Sequence, residues 1–228
     1  MSLEIRLADG DMTDDVNGID RVKARVWSEL SDPKHIANAI REPDHVTHIA
    51  LVDRVVVGFV SGFMTLSIEG VRRWEVDLLA VQPEFQRQGI ARRLVAHSTI
   101  AGQNMGASMA RGLVGIDNIA SQHTFARNNY RPDETKYGLY LSTNDTRTHA
   151  EPPLSSHLIP VVTMNYRGVW IEGQLSPQAL AAAQSVRTRY NWQVAGALIP
   201  ESATAISEHA LEIDFMYVGT YQWWGRHL

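Results

Sequence analysis

Cysteine is absent from the 228 residues of the chain. Its absence excludes disulfide bonds, thiolate metal sites and covalent catalysis through a cysteine nucleophile. Long apolar runs are also missing, since no stretch approaches the roughly 18 apolar residues that cross a bilayer. The first fifteen positions include five acidic residues, whereas a signal peptide needs an apolar core there. We therefore expect a soluble, cytoplasmic protein with no membrane partner.

An excess of positive charge is missing as well, because 21 lysine and arginine residues are set against 25 aspartate and glutamate residues, for a net charge of −4. A dedicated nucleic-acid binder carries a broad basic surface, so we expect no nucleic-acid partner. The nine histidines show no His-Glu-x-x-His spacing, which predicts no metal site. The length suits one enlarged domain or two small ones.

Apolar periodicity predicts strands and helices in alternation over residues 1–165. The predicted strands are 3–7, 46–52, 55–66, 71–81, 109–116, 135–141 and 157–165, and the predicted helices are 14–30, 32–41, 88–106 and 120–127. A polar segment at 142–156 predicts a long loop. This order predicts an α/β fold, with a mixed central sheet flanked by helices.

A C-terminal extension of about sixty residues, 166–228, follows this first domain. It is predicted to form a strand at 169–172, a helix from Ser176 and a last strand at 211–221, in which apolar and acidic residues alternate. Its apolar surface is too large to remain in water. We therefore expect the extension to pair with a sheet edge of the first domain or to lie at a subunit interface, and a homodimer is the expected assembly.

The most informative segment joins the strand at 71–81 to the next helix. Gln86–Ala91 reads QRQGIA and matches the pattern Q/R-x-x-G-x-G/A. Small residues at 89 and 91 allow a ligand to approach the backbone N–H groups, and the free amides and dipole of a helix start favour an anion such as phosphate. Arg87 and Arg92 add positive charge. The alternative is a tight turn with surface arginines.

The order strand, Val-x-Pro, glycine loop, helix, strand, asparagine and short helix resembles the GNAT superfamily of acetyl-CoA-dependent N-acetyltransferases over residues 1–165. The resemblance implies a mostly antiparallel central sheet and acetyl-CoA as cosubstrate. It also implies that a strand bulge near Val81 opens the cleft for the pantetheine arm. The cofactor-binding residues that it implies are Leu79, Ala80, Val81, Gln86, Arg87, Gln88, Gly89, Ile90, Ala91, Arg92, Asn118 and Phe125.

Glu75 and Asp77 lie on one face of the strand before this loop. An alkyl ammonium, with a pKa near 10.4, must lose a proton before it can attack. Histone-type members of the superfamily place a catalytic glutamate eleven residues before the position of Gln86, which is Glu75 here. Glu75 or Asp77 is therefore the candidate base, unless either simply faces solvent. The Val81 N–H is the candidate donor to the thioester oxygen.

The sequence departs from the family pattern at Phe125, where many members carry a tyrosine that protonates the CoA thiolate. Tyr130 stands where the family has a packing aromatic residue, so we expect it in the core. The resemblance implies acetyl transfer to a primary amine, on a small molecule or a peptide, by direct attack in a ternary complex. The alternative is a non-catalytic acyl-CoA-binding module, which Phe125 favours and Glu75 does not.

Overall fold

A computed structural model of the chain describes residues 2–28, 32–146 and 149–228. The strands are β1 (Leu3–Leu7), β2 (His45–Val52), β3 (Val55–Leu66), β4 (Arg72–Val81), β5 (Met109–Gly115), β6 (Arg131–Ser142), β7 (Ser156–Val162), β8 (Arg167–Gly173), β9 (Val194–Pro200) and β10 (Met216–His227). The α-helices are α1 (Thr13–Trp27), α2 (Pro33–Arg41), α3 (Ile90–Asn104), α4 (Ile119–Ala126), α5 (Pro177–Arg189) and α6 (Thr204–Glu212). Within these described ranges, no helix has the length and apolarity needed to cross a membrane.

All ten strands form one sheet in the order β1-β2-β3-β4-β5-β10-β6-β9-β8-β7. Neighbours are antiparallel except for β4–β5 and β8–β9, which confirms the predicted mixed, mostly antiparallel sheet. Apart from β1 and β2, which have no counterpart, the strand order is symmetric about the β10–β6 pair. We call β3-β4-α3-β5-α4-β6 the first unit and β7-β8-α5-β9-α6-β10 the second unit. The last strand of each unit pairs with the third strand of the other unit: β10 pairs with β5, and β6 pairs with β9.

Alternation of side chains along the strands divides the core between the two faces of the sheet. Trp74 of β4 is fully buried beneath α3, and its Nε1 donates to Ser98 Oγ at 2.9 Å. Val169 of β8 is buried in the same way in the α5 cluster. Helices α1 and α2 cover part of the opposite face, over Ile49 and Phe59. The rest of that face is left to the second unit.

The β7–β8 hairpin folds back over this second face. Arg73 Nη1 donates to Glu172 Oε1 at 2.7 Å, and Lys23 Nζ of α1 donates to Asn165 Oδ1 at 2.5 Å. Each of these contacts joins residues about a hundred or more positions apart. The sheet is therefore curved, and residues of both units line its concave side.

The predicted strand at 211–221 is wrong in its first part, because α6 continues to Glu212 and the strand begins at Met216. The alternation that suggested a strand coincides with a helical face at three- and four-residue spacing. That face consists of Ala203, Ile206, Ala210 and Ile213, which pack into the core of the second unit. The final strand, β10, lies inside the sheet between β5 and β6 instead of at an edge.

Two further differences from the prediction concern elements of the C-terminal extension and the end of helix α1. Strand β9 and most of α6 were not predicted, since a short apolar run such as 194–200 carries no period that separates strand from buried helix. The extension is therefore strand-helix-strand-helix-strand. Helix α1 ends at Trp27, and residues 29–30, the predicted end of this helix, lie outside the described residues.

Candidate active site

A groove opens where β4 separates from β5. The two strands pair for only three positions, from Arg73–Met109 to Glu75–Arg111. Beyond them β4 carries a bulge, at which Asp77 and Leu78 together face one residue of β3. A bulge bends its strand and increases its twist, so β4 turns away from β5. The bulge lies at 77–78, three to four residues before the expected position near Val81. The expected position was therefore wrong.

The backbone of β4 presents free groups to this groove. Gln82 N–H donates to the Val57 carbonyl of β3 at 2.8 Å. Hydrogen-bonded and non-bonded pairs alternate in an antiparallel ladder, so Leu79 and Val81 direct their N–H and C=O groups away from β3. Gln86 Nε2 donates to the Val81 carbonyl at 3.0 Å. The segment Leu79–Val81 is therefore an open strand edge with which an extended amide ligand can pair.

The loop after β4 ends at an exposed helix start. Gly89 has a φ of +79°, and a Cβ there would meet no atom within 4 Å. The left-handed backbone, and not crowding, therefore selects glycine, and the space above the loop is open. Helix α3 begins at Ile90, and no side chain of the described residues caps it. Its first amides are available to an anion.

The groove has a volume of about 610 Å³. The predicted cofactor residues that line it are Leu79, Ala80, Val81, Gln86, Arg87, Gly89, Ile90, Ala91, Arg92 and Asn118. Asn118 also caps α4, because its Oδ1 accepts the Ser121 N–H at 3.0 Å. His123 of α4 and Arg127, the residue that follows α4, line the groove as well. They were missed by the sequence analysis, although their four-residue spacing places both side chains on one helix face.

Two of the proposed cofactor residues lie elsewhere. Gln88 does not line the groove, and its Nε2 donates to the Glu84 carbonyl at 3.3 Å. Phe125 is buried in the core, edge-to-face with Tyr130 at 5.0 Å between ring centroids. Tyr130 is also buried, as expected, and its hydroxyl lies 2.8 Å from Thr99 Oγ1. Burial raises the pKa of Tyr130 to about 12, so it holds its proton.

The concave side of the sheet contains a second cavity, which we call the inner chamber, with a volume of about 120 Å³. Residues of both units line it, namely Phe63, Thr65, Arg73, Glu75, Val76, Asp77, Arg111, Leu113, Ile159, Val161, Tyr166, Trp170, Ile171, Glu172, Leu198 and Trp223. It shares Arg111, Glu172 and Trp223 with a wider cleft of about 900 Å³, which we call the mouth. Both predicted carboxylates face the chamber.

Glu75 is held by donors on several sides. Arg111 Nε lies 3.0 Å from Oε1 and 2.9 Å from Oε2, and Thr65 Oγ1 donates to Oε1 at 2.5 Å. Arg73 Nε lies 3.6 Å from the same carboxylate. The guanidinium of Arg111 also stacks on Trp223, 3.8 Å from the ring centroid. These contacts engage both oxygens of Glu75 and favour a structural role as the anion between two arginines.

Asp77 has a different environment on the same strand. Asp77 is an exposed residue, and none of the ion pairs among the described residues includes it. Surrounding protein and, less strongly, the Glu75 charge raise the pKa of Asp77 to about 7, while Lys23 lowers it. A carboxylate at the bottom of a cleft has both properties, access to water and a raised pKa. Asp77 can therefore accept a proton near neutral pH.

Tyr166 brings a hydroxyl from the β7–β8 hairpin into the same chamber. The hydroxyl accepts a hydrogen bond from Trp170 Nε1 at 3.0 Å. Burial, with the nearby Asp77 charge, raises the pKa of Tyr166. The sequence analysis did not single out this residue, because the hairpin reaches β4 only through tertiary packing.

A curled mixed sheet with a splayed parallel pair, a bulged strand and a glycine loop at a helix start defines the GNAT class of α/β folds. The sequence model of the acetyltransferase (GNAT) family matches residues 14–130, about half of the chain, and the chain belongs to this family. No curated protein matches it in sequence.

Solved structures extend the likeness to the whole chain. A putative acetyltransferase from Pyrococcus horikoshii is 12% identical, with 99% of this chain and 89% of that chain covered and a TM-score of 0.65. A GCN5-related N-acetyltransferase from Sphaerobacter thermophilus is 12% identical, with 99% and 95% covered and a TM-score of 0.62. The NatC complex, solved with a Gag peptide and CoA, is 16% identical, with 59% and 88% covered and a TM-score of 0.52. At these identities the likeness shows the fold.

Proposed function

We propose that the protein transfers an acetyl group from acetyl-CoA to a primary amine. The observation that carries the proposal is the position of the β4 bulge, which places the open edge Leu79–Val81 on the groove and Asp77 in the inner chamber. CoA in the groove and an amine in the chamber would thus meet at one strand. The capture of CoA by the NatC complex supports the choice of cofactor.

In this proposal the groove holds the cofactor in two places. The pantetheine arm pairs with the backbone of Leu79 and Val81 as an added strand. The pyrophosphate binds the amides of 87–92 at the start of α3, and Arg87, Arg92 and Arg127 contribute positive charge. Asn118 borders the arm from the opposite wall. Phe125 and the side chain of Gln88 bind no cofactor in this arrangement.

The chemistry follows from the chamber. Asp77 takes a proton from the bound ammonium, and the free amine attacks the thioester carbon, so that the C–N bond forms and the C–S bond breaks. The Val81 N–H, directed into the groove, donates to the oxygen as it gains charge. A base with a pKa near 7 works well at neutral pH. The attacking nitrogen gives up its second proton as the amide forms, and water can pass this proton to the CoA thiolate, whose conjugate acid is comparable to a cysteine thiol with a pKa near 8.5.

The contacts favour Asp77 over Glu75 as the base. Both oxygens of Glu75 accept hydrogen bonds from Arg111, whereas Asp77 faces the open chamber. Glu75 then positions Arg111 and Arg73 in the chamber wall. Residues 1–165 supply the chemistry in this proposal, and 166–228 supply the other wall, including Trp170 and Trp223. A homodimer and a cytoplasmic location stay predictions.

Acetyl-CoA turnover, read as free thiol release over a panel of amines, tests the proposal directly. Calorimetry with acetyl-CoA comes first, because it separates binding from chemistry. Binding with thiol release on at least one amine supports the enzyme. Binding without turnover on any amine would support the acyl-CoA-binding module instead, and the absence of binding would overturn both.

A further inference from the structure

We propose that the acceptor is a small amine with a single ammonium group on an apolar body, and that it binds in the inner chamber. Polyamines, aminoglycosides and peptide lysines are then poor substrates. This inference rests on the proposed acetyl transfer and adds the class of substrate to it.

The size of the inner chamber is the first argument. Its volume is about 120 Å³. Pockets for drug-sized ligands begin at about 300 Å³. Strands from both units enclose it, with Phe63 on one side and Ile159 and Trp170 on the other. A compact body fits this space, whereas the ring system of an aminoglycoside does not.

The charges of the chamber wall are the second argument. Arg73 pairs with Glu172 at 2.7 Å and Arg111 pairs with Glu75 at 2.9 Å, so these four groups neutralise one another. Asp77 is the remaining charged group among the described lining residues. One ammonium would balance it, whereas a second cation in the chamber would find no free anion. Aromatic side chains of the lining, such as Phe63 and Trp170, add favourable contact with an apolar body.

The mouth, which adjoins the inner chamber and shares Arg111, Glu172 and Trp223 with it, supplies the third argument. Its lining carries Arg111, Arg131 and Arg226 against the acids Asp133 and Glu172, with His227 beside them. In the described ranges no carboxylate lies within 4 Å of Arg131 or Arg226. A positive entrance repels polycations and admits a single charge more easily. Size and charge therefore select the same class of amine.

The test compares kcat/KM for benzylamine and phenethylamine with kcat/KM for spermidine, kanamycin and a lysine-containing peptide, after acetyl-CoA binding has been confirmed by calorimetry. We expect the two monoamines to exceed each polycation or peptide by at least about tenfold, since a misfit in a pocket typically changes kcat/KM by this much or more. Preference for a polycation or the peptide would overturn the inference and leave acetyl transfer intact. Turnover of no amine would overturn the proposed function as well.

A matched pair of variants on β7 locates the acceptor. Ile159 lines the inner chamber, whereas its neighbour Leu158 packs on the α5 side of the sheet. Ile159→Ala should move the ratio of kcat/KM for 1-naphthylmethylamine over benzylamine upward by roughly tenfold, because the chamber widens. Leu158→Ala should lower the Tm and leave the ratio unchanged. An unchanged ratio in Ile159→Ala, or equal shifts in both, would overturn the inference, and the wild-type panel decides it if either variant fails to fold.

Discussion

The two units of the sheet share one topology and differ in the connection that follows their central strand. In the first unit, residues 82–89 join β4 to α3, and Gly89 leaves the helix start open. In the second unit only residues 174–176 join β8 to α5, and Ser176 Oγ accepts the Ala179 N–H at 3.2 Å. The long loop of the first unit thus leaves a helix start open to the proposed phosphate, whereas the short connection of the second unit caps its own helix. The fold supplies the location, and the loop decides its use.

A second difference appears at matched positions of the two central strands. The ladder to the parallel neighbour ends at Glu75 in β4 and at Trp170 in β8, so Asp77 and Glu172 each lie two residues beyond it. Both carboxylates face the inner chamber. Glu172 is paired with Arg73, whereas Asp77 is open to water. Glu172 therefore joins the two units, whereas Asp77 is available to act as the proposed base.

The largest expected effect comes from Asp77→Asn, which removes the proton acceptor of the first unit. We expect kcat to fall roughly 10²–10⁴-fold, while the Kd for acetyl-CoA stays nearly unchanged. In the wild-type protein kcat/KM should fall as the pH drops below about 7, because Asp77 then carries a proton. The other charged or titratable groups near it are Lys23, Arg73, Glu75, Arg111, Tyr166 and Glu172.

Glu75→Gln is the matched control on the same strand. It should weaken the contacts that hold Arg111 in the chamber wall. The fall of kcat/KM below a pH of about 7 should remain. Full activity of Asp77→Asn, with loss of the profile in Glu75→Gln, would transfer the role of base to Glu75.

Glu172→Ala should have the next largest effect, and the effect should be on stability. Arg73 is 5% exposed, and without Glu172 it loses its closest carboxylate. Breaking a fully buried pair by removing one partner costs about 3–5 kcal/mol. Because Glu172 is partly exposed and Glu75 stays 3.6 Å from Arg73, we expect a smaller loss of unfolding free energy, measured by urea unfolding. Glu172→Gln, which keeps a hydrogen-bond acceptor, should cost less. A loss of turnover at full stability would show instead that the two carboxylates share the chemistry.

Gly89→Glu tests the loop of the first unit. A negative side chain near a bound pyrophosphate costs about 1–4 kcal/mol, which raises the Kd for acetyl-CoA roughly 10–10³-fold. Gly89→Asn is the control, since asparagine tolerates the left-handed backbone and adds no charge. Calorimetry on both separates charge from strain. Equal affinity in Gly89→Glu and the wild-type protein would place the phosphates elsewhere.

Ser176→Ala should have the smallest effect, because it removes only the cap of the corresponding helix in the second unit. Loss of an N-cap side chain costs about 1 kcal/mol, visible as a lower Tm. Acetyl-CoA binding should not change. A measurable change in affinity would mean that the second unit also contacts the cofactor, and the contrast between the units would have to be abandoned.

The sequence predicted the fold class and the loop at 86–91, because both depend on local period and spacing. It did not resolve Glu75 from Asp77, since strand alternation places them on one face. The partners that distinguish them, Arg111 and Glu172, are distant in the chain and arrive through packing. The same reason explains why β10 was expected at an edge. A strand's neighbours depend on the whole sheet, and its own residues carry no record of them.

The interior position of β10 has a consequence for synthesis of the protein. β5, whose separation from β4 opens the groove, and β6 both pair with β10 along most of their length. Until residues 216–227 have left the ribosome, these two strands present unpaired edges, which are templates for aggregation. Closure of the sheet therefore has to wait until residues 216–227 have been translated. A nascent or prematurely stopped chain is a substrate for chaperones and proteases before it is an enzyme.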